Sequence, residues 1–220
     1  MPFDPMLLLC GHRPGATWSA FELGATFAMW VGMTLAMMGP IVLPWAVALA
    51  RQNGARLGQA RPGRLALFLM GYLGVWSGFG LLATLLQWGL ASGGILSAAR
   101  LLDHPMAAAA ALVVVGIYQW TPLKEACLRH CQSPVTFLLT HWRDGAWGAA
   151  WMGGRHGLHC VGCCWPFMAL MLLTGAMSLP WMVGVGAFVL LEMYLPGRRN
   201  LSRLAGATLI GLGLLFPLLA

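Results

Sequence analysis

Trp18-Ser-Ala-Phe-Glu-Leu-Gly-Ala-Thr-Phe-Ala-Met-Trp-Val-Gly-Met-Thr-Leu-Ala-Met-Met-Gly-Pro-Ile-Val-Leu-Pro-Trp-Ala-Val-Ala-Leu-Ala50 decides the fold. It is apolar over more than the ~20 residues that a helix needs to cross a bilayer core. A helix of that length must tilt or bend, and Gly39-Pro40 and Pro44 supply a reason. Each proline lacks its amide donor and frees the carbonyl four residues back, at Ala36 and Pro40. The same run carries Met29, Met33 and Met37 at helical steps of four, with Met38 adjacent. Such a stripe is flexible core filler, or beside a bend it is a site.

Composition extends this reading to the whole chain. Of 220 residues 59% are hydrophobic and 9% charged, against about 25% charged in an ordinary soluble domain. The expectation is an all-α, polytopic transmembrane helical bundle, a single integral membrane domain over residues 1–220. It has about six spans: Trp18 to Ala50, Leu65 to Leu90, Pro105 to Trp120, the cysteine-rich segment to Ala176, a fifth to Leu195, and Leu201 to Ala220. Val135 to Met152, interrupted by His141, Arg143, Asp144 and two tryptophans, reads as a helix lying in the interface. Gly71, Gly74, Ser77, Gly78 and Gly80 in the second span suit close helix approach.

The formal charge of +7 sits on loop arginines and reports topology, not nucleic-acid binding. With both termini outside, Arg51, Arg56, Arg61, Arg64, Lys124, Arg129, Arg143, Arg155, Arg198, Arg199 and Arg203 fall inside, and Arg13 and Arg100 outside. This bias reads as a multi-pass membrane protein with its basic loops and both cysteine groups on the cytoplasmic side. No positive charge precedes the short apolar run Met6 to Cys10, so the start does not read as a signal peptide. Cys10 is discounted as a lipid-attachment site for the same want of a basic leader.

The chemistry concentrates in Gly154-Arg-His-Gly-Leu-His-Cys-Val-Gly-Cys-Cys-Trp-Pro166. His156, Cys160, Cys164 and Met168 recur at steps of four along one helical face, with Cys163 and Met171 beside it. Thr121-Pro122 reads as a helix start, Thr as N-cap and Pro at the first position. Cys127 and Cys131 then lie one turn apart on a short helix, with His130 next to them. Thiolate, imidazole and thioether select soft or borderline metals, Cu(I) favoured over Zn(II), and not Mg or Ca. Candidate ligands are therefore Cys127, Cys131, His156, Cys160, Cys163, Cys164, Met33, Met37, Met168 and Met171. The competing reading is small buried cysteines that behave as ordinary hydrophobes. His104 and His141 read as capping or solvated. Glu192, an acid inside an apolar span, is either functional or paired with Arg198 and Arg199 at the membrane edge.

Met33-Thr-Leu-Ala-Met-Met-Gly-Pro40, Tyr118-Gln-Trp-Thr-Pro-Leu-Lys-Glu-Ala-Cys-Leu-Arg-His-Cys131, His141-Trp-Arg-Asp-Gly145 and His156-Gly-Leu-His-Cys-Val-Gly-Cys-Cys-Trp165 are, in order and spacing, the segments by which the chain resembles a bacterial family of predicted metal-binding integral membrane proteins of unknown function. The likeness covers most of the chain. It falls on Met37, Met38, Pro40, Gln119, Pro122, Lys124, Cys127, Cys131, His156, Cys160, Cys163, Cys164 and Trp165. What it implies is a multispan fold and a metal site, with no established substrate. Met193 follows Glu192 where the family pattern has lysine, which leaves a Glu-Lys role there open.

Two functional classes follow. The first is a Cu(I)-handling membrane protein, a carrier, donor or sensor working with a metal donor or acceptor protein, and not an enzyme. Its thiolates would take the ion at the cytoplasmic side, where thiols stay reduced, with thioethers holding it deeper. The second is a thiol redox protein using Cys160 and Cys163 as a dithiol at a helix start and Cys164 as resolving partner. An accessory subunit of a larger membrane complex is the blander alternative. No nucleotide loop or phosphorylation motif points to a pump.

Overall fold

The computed structural model describes residues 18–57, 62–93, 105–174, 179–195 and 198–219. The readings made at Cys10, Arg13, Arg61, Arg100, Asp103 and His104 lie outside them. The described residues form helices and their connections, with no strand. In chain order these are α1 (Ala20–Leu57), α2 (Pro62–Ser92), α3 (Pro105–Tyr118), α4 (Pro122–Cys131), α5 (Pro134–Thr140), α6 (Gly145–Thr174), α7 (Leu179–Tyr194) and α8 (Arg198–Leu219).

Helix α1 starts at a reciprocal cap. Ser19 donates its backbone N–H (2.7 Å) and hydroxyl (2.8 Å) to the Glu22 carboxylate, and the Ser19 hydroxyl accepts from the Glu22 amide at 3.2 Å. Glu22 is thus a capping residue, its charge placed at the positive end of the helix dipole. The helix continues through Pro40 and Pro44. Its Trp30, Met38, Trp45 and Leu49 and the Phe68, Tyr72 and Trp76 of α2, all buried, form the centre of the core.

Helices α2 and α6 make the most extensive contact in the molecule. Glycine is what permits it: a Cβ at Gly71 would overlap the Ala150 carbonyl, and one at Gly153 would overlap the Phe68 carbonyl. The backbones therefore touch where any side chain would hold them apart. Gly74 and Gly78, expected to serve the same purpose, face open space. The second close pairing, α3 on α8, uses Gly116 and Gly206 in the same way.

The expected six spans are not present. Among the described residues two helices, over Ala20–Gln52 and Pro62–Ser92, are long and apolar enough to cross a membrane. A third crossing exists only if α3 and α4, bent by 63° at the Tyr118–Pro122 junction, are taken as one broken span. Helix α7 has 16 residues and reaches about 24 Å, short of a ~30 Å core. Helix α8 spends its first turns on Arg198, Arg199 and Arg203, and α6 carries Arg155, His156 and His159 in its middle. Apolar composition counted these segments as spans because their neighbours were apolar; length and interior charge say otherwise.

The interfacial helix expected over 135–152 is also replaced. Pro134 starts the seven-residue α5, the chain leaves helical geometry at His141–Asp144, and Gly145 restarts it at a φ of +80° that favours glycine. Arg64 of α2 fixes this break by donating to the Arg143 carbonyl at 2.8 Å.

Candidate metal centre

Helix α4 begins as its sequence indicates. Thr121, extended at φ −72° and ψ 144°, accepts the Lys124 amide at 3.3 Å, and Pro122 occupies the first helical position. The bend before it swings α4 across α6, which sets Cys127 and Cys131 against the middle of that helix. Trp45 of α1 secures the crossing by donating its indole N–H to the Cys131 carbonyl at 3.2 Å.

The thiols meet there. Cys131 of α4 is buried in the same core cluster as Cys160, Cys163 and Cys164 of α6. Cys163 and Cys164 donate to the Cys160 carbonyl at 3.1 and 2.8 Å, and the Tyr72 hydroxyl lies 3.4 Å from the Cys160 sulfur. Cys127 packs on Gly162, where a Cβ would come within 2.7 Å of its sulfur. The carbonyl of Gly162 also accepts the Tyr118 hydroxyl. The five cysteines among the described residues are free thiols; Cys127 is partly exposed and the other four are buried.

His156 closes the group from one turn below Cys160. It is fully buried, stacked on Trp45 at 3.7 Å between ring centroids and next to Tyr72 at 5.3 Å. Neither ring nitrogen has a hydrogen-bond partner. A buried polar atom left unpaired costs about 1–3 kcal/mol, so a side chain with two of them is a candidate to have a ligand in its working state. Among the described residues no three His, Cys, Asp or Glu converge on one metal position. Taking up an ion therefore requires the thiols to exchange their carbonyl and thiol hydrogen bonds for it.

The family model of PpoB2, described as a copper chaperone, matches residues 27–216. The chain belongs to this family. No curated protein and no solved structure matches it.

The matched region contains every candidate ligand. Met33, Met37, Met168 and Met171 are all buried in the core that also holds Cys131, Cys160, Cys163 and Cys164. The helix start assigned to Cys160 and Cys163 is not there: α6 begins at Gly145, so the pair sits mid-helix, away from the N-terminal dipole that would lower a thiol pKa. Glu192 is paired with Lys124 and not with Arg199. Its carboxylate accepts Lys124 Nζ at 2.7 and 2.9 Å and the Ser202 hydroxyl at 2.5 Å, while Lys124 also donates to Gln119. Arg199 turns to Glu125 at 3.6 Å instead. The buried Lys124–Glu192 pair ties α4 to α7, and Ser202 adds α8; Lys124 and Ser202 line a cleft of about 220 Å³ together with Arg199 and Arg203. The pair's sequence signal was polar side chains in apolar surroundings, but the partner was 68 residues away. Gly162 and Tyr72 gave no signal at all.

Proposed function

We propose that the protein is a membrane-embedded copper chaperone that carries Cu(I) on the thiols of Cys131, Cys160, Cys163 and Cys164, with Cys127 at the mouth and His156 as a further donor. The observation that carries this reading is the meeting of thiols from two helices around Cys160 in a chain of a copper chaperone family. Soft thiolates favour Cu(I) over harder ions, and the ion is the cargo, not a resident cofactor. Met33, Met37, Met168 and Met171 extend the soft-donor set into the apolar interior, where a thioether needs no deprotonation and a thiolate would be costly to bury.

Helices α1 and α2 would cross the bacterial inner membrane. Arg129, Arg199 and Arg203 line one cleft with Lys124 and Glu125 of α4, the helix that carries Cys127 and Cys131, and this basic neighbourhood supports a cytoplasmic placement of the site. A protein that donates or accepts copper would then meet the site from the cytoplasm. The thiol redox alternative loses its helix-start argument with the mid-helix position of Cys160 and Cys163. Metal analysis of detergent-purified protein, reduced and handled without oxygen, separates the two: bound copper with free thiols in the copper-free form supports the chaperone, and a Cys160–Cys163 disulfide without metal affinity contradicts it.

A further inference from the structure

The crossing of α4 on α6 brings together more than the cysteines. His130 precedes Cys131 and His159 precedes Cys160, so the two helices meet in a register that pairs residue with residue. Cys131 and Cys160 are both buried in the core there, and the rings of His130 and His159 stack outside at 4.2 Å between centroids and an interplanar angle of 21°. One step back along each helix is a turn of about 100° and ~1.5 Å of rise. That step takes the path from buried thiols to partly exposed imidazoles.

We propose that His130 and His159 form an imidazole entry site for Cu(I) at the mouth of the thiol cluster, receiving the ion and passing it by ligand exchange to Cys131 and Cys160. Two further observations point to a ligand. His159 Nε2 is buried with no hydrogen-bond partner. His130 Nδ1 lies 3.2 Å from the Ala126 carbonyl, which can only accept, so Nδ1 carries the proton and Nε2 keeps its lone pair. His141 stands 6.3 Å from His130, close enough to serve as a third nitrogen donor. The Arg155 guanidinium, one turn before His159 and lining the same pocket, lies over the Trp151 ring at 5.2 Å.

The stacked rings do not aim their nitrogens at one position, so His130 must rotate to take the ion. It can, because it sits at the C-terminal end of α4 and is partly exposed. Imidazole is a borderline donor and thiolate a soft one, so the exchange runs inward towards tighter Cu(I) binding. The ion leaves two neutral imidazole nitrogens, two sulfurs bind it, and the two thiol protons pass to solvent, with no change of oxidation state.

This inference rests on the copper reading, and its test is built to fail separately. Purified protein is loaded with Cu(I) from a coloured Cu(I) chelate under argon, and both the rate and the final copper content are read. The variant His130→Gln/His159→Gln is expected to reach the wild-type copper content about tenfold or more slowly. His130→Gln alone, at a partly exposed position that spares the fold, is expected to slow loading in the same direction. In Cys131→Ser/Cys160→Ser, X-ray absorption is expected to show copper bound through nitrogen, and adding His130→Gln to remove it. Unchanged loading rates in folded histidine variants, or no nitrogen-bound copper in the serine variant, would overturn the entry site while leaving the thiol site standing. Wild-type protein that takes up no Cu(I) would overturn the copper reading itself.

Discussion

His156 shows how a single side chain can argue against its own surroundings. Imidazole is buried here between Trp45 and Tyr72 with both nitrogens unpaired. Replacing it by phenylalanine keeps the stacking and removes the unpaired polar atoms, a change that is near neutral or stabilising when a group serves packing alone. His156→Phe is therefore expected to hold or raise the unfolding temperature of the copper-free protein, while weakening copper retention about tenfold or more; competition with a Cu(I) chelator reads the second effect. Lys124 and Glu192 make the opposite case. Each is buried and satisfied by the other, so removing one leaves an uncompensated buried charge at a cost of about 3–5 kcal/mol. Denaturant unfolding in detergent is expected to show that loss for Lys124→Met and for Glu192→Gln, and a smaller one for the double variant. His156, Cys160 and Cys164 could be read from their spacing of four, because helical periodicity is local. The partners Lys124 for Glu192 and His130 for His159 could not, since they depend on which helices cross and where.

At the scale of elements, the packing of α2 on α6 depends on glycine at Gly71 and Gly153, where a side chain would collide with backbone that cannot move aside. Gly153→Val is expected to prevent stable folding, seen as loss of monodisperse protein in detergent. Gly78→Ala, facing open space in the same helix pair, is expected to stabilise by roughly 0.5–1 kcal/mol through helix propensity. The sequence marks both glycines alike, and only the facing helix distinguishes them. The same limit applies to boundaries. Thr121-Pro122 announced α4 because cap chemistry is written in adjacent residues. The break at His141–Asp144 was hidden because an apolar stretch on each side masked it, and the start of α6 at Gly145 moved the cysteines from a helix end to a helix middle.

For the whole molecule, all-helical architecture followed from composition, whereas the number of spans did not. Counting apolar segments treats each as a straight span, but α3 is cut at a 63° bend from the more polar α4, and α7 is too short to cross alone. The sidedness expected from the arginine count stays a proposal, and the position of Cys127 tests it. In a Cys10→Ser background, a membrane-impermeant thiol reagent is expected to label the partly exposed Cys127 from the cytoplasmic side and not from the other. The most direct test of the central claim is X-ray absorption on wild-type protein and Cys131→Ser/Cys160→Ser, each loaded with Cu(I) without oxygen. The account predicts stoichiometric copper in a sulfur-dominated shell for the wild type and loss of that shell in the variant. An absence of bound copper, or the same copper environment in both proteins, would contradict it.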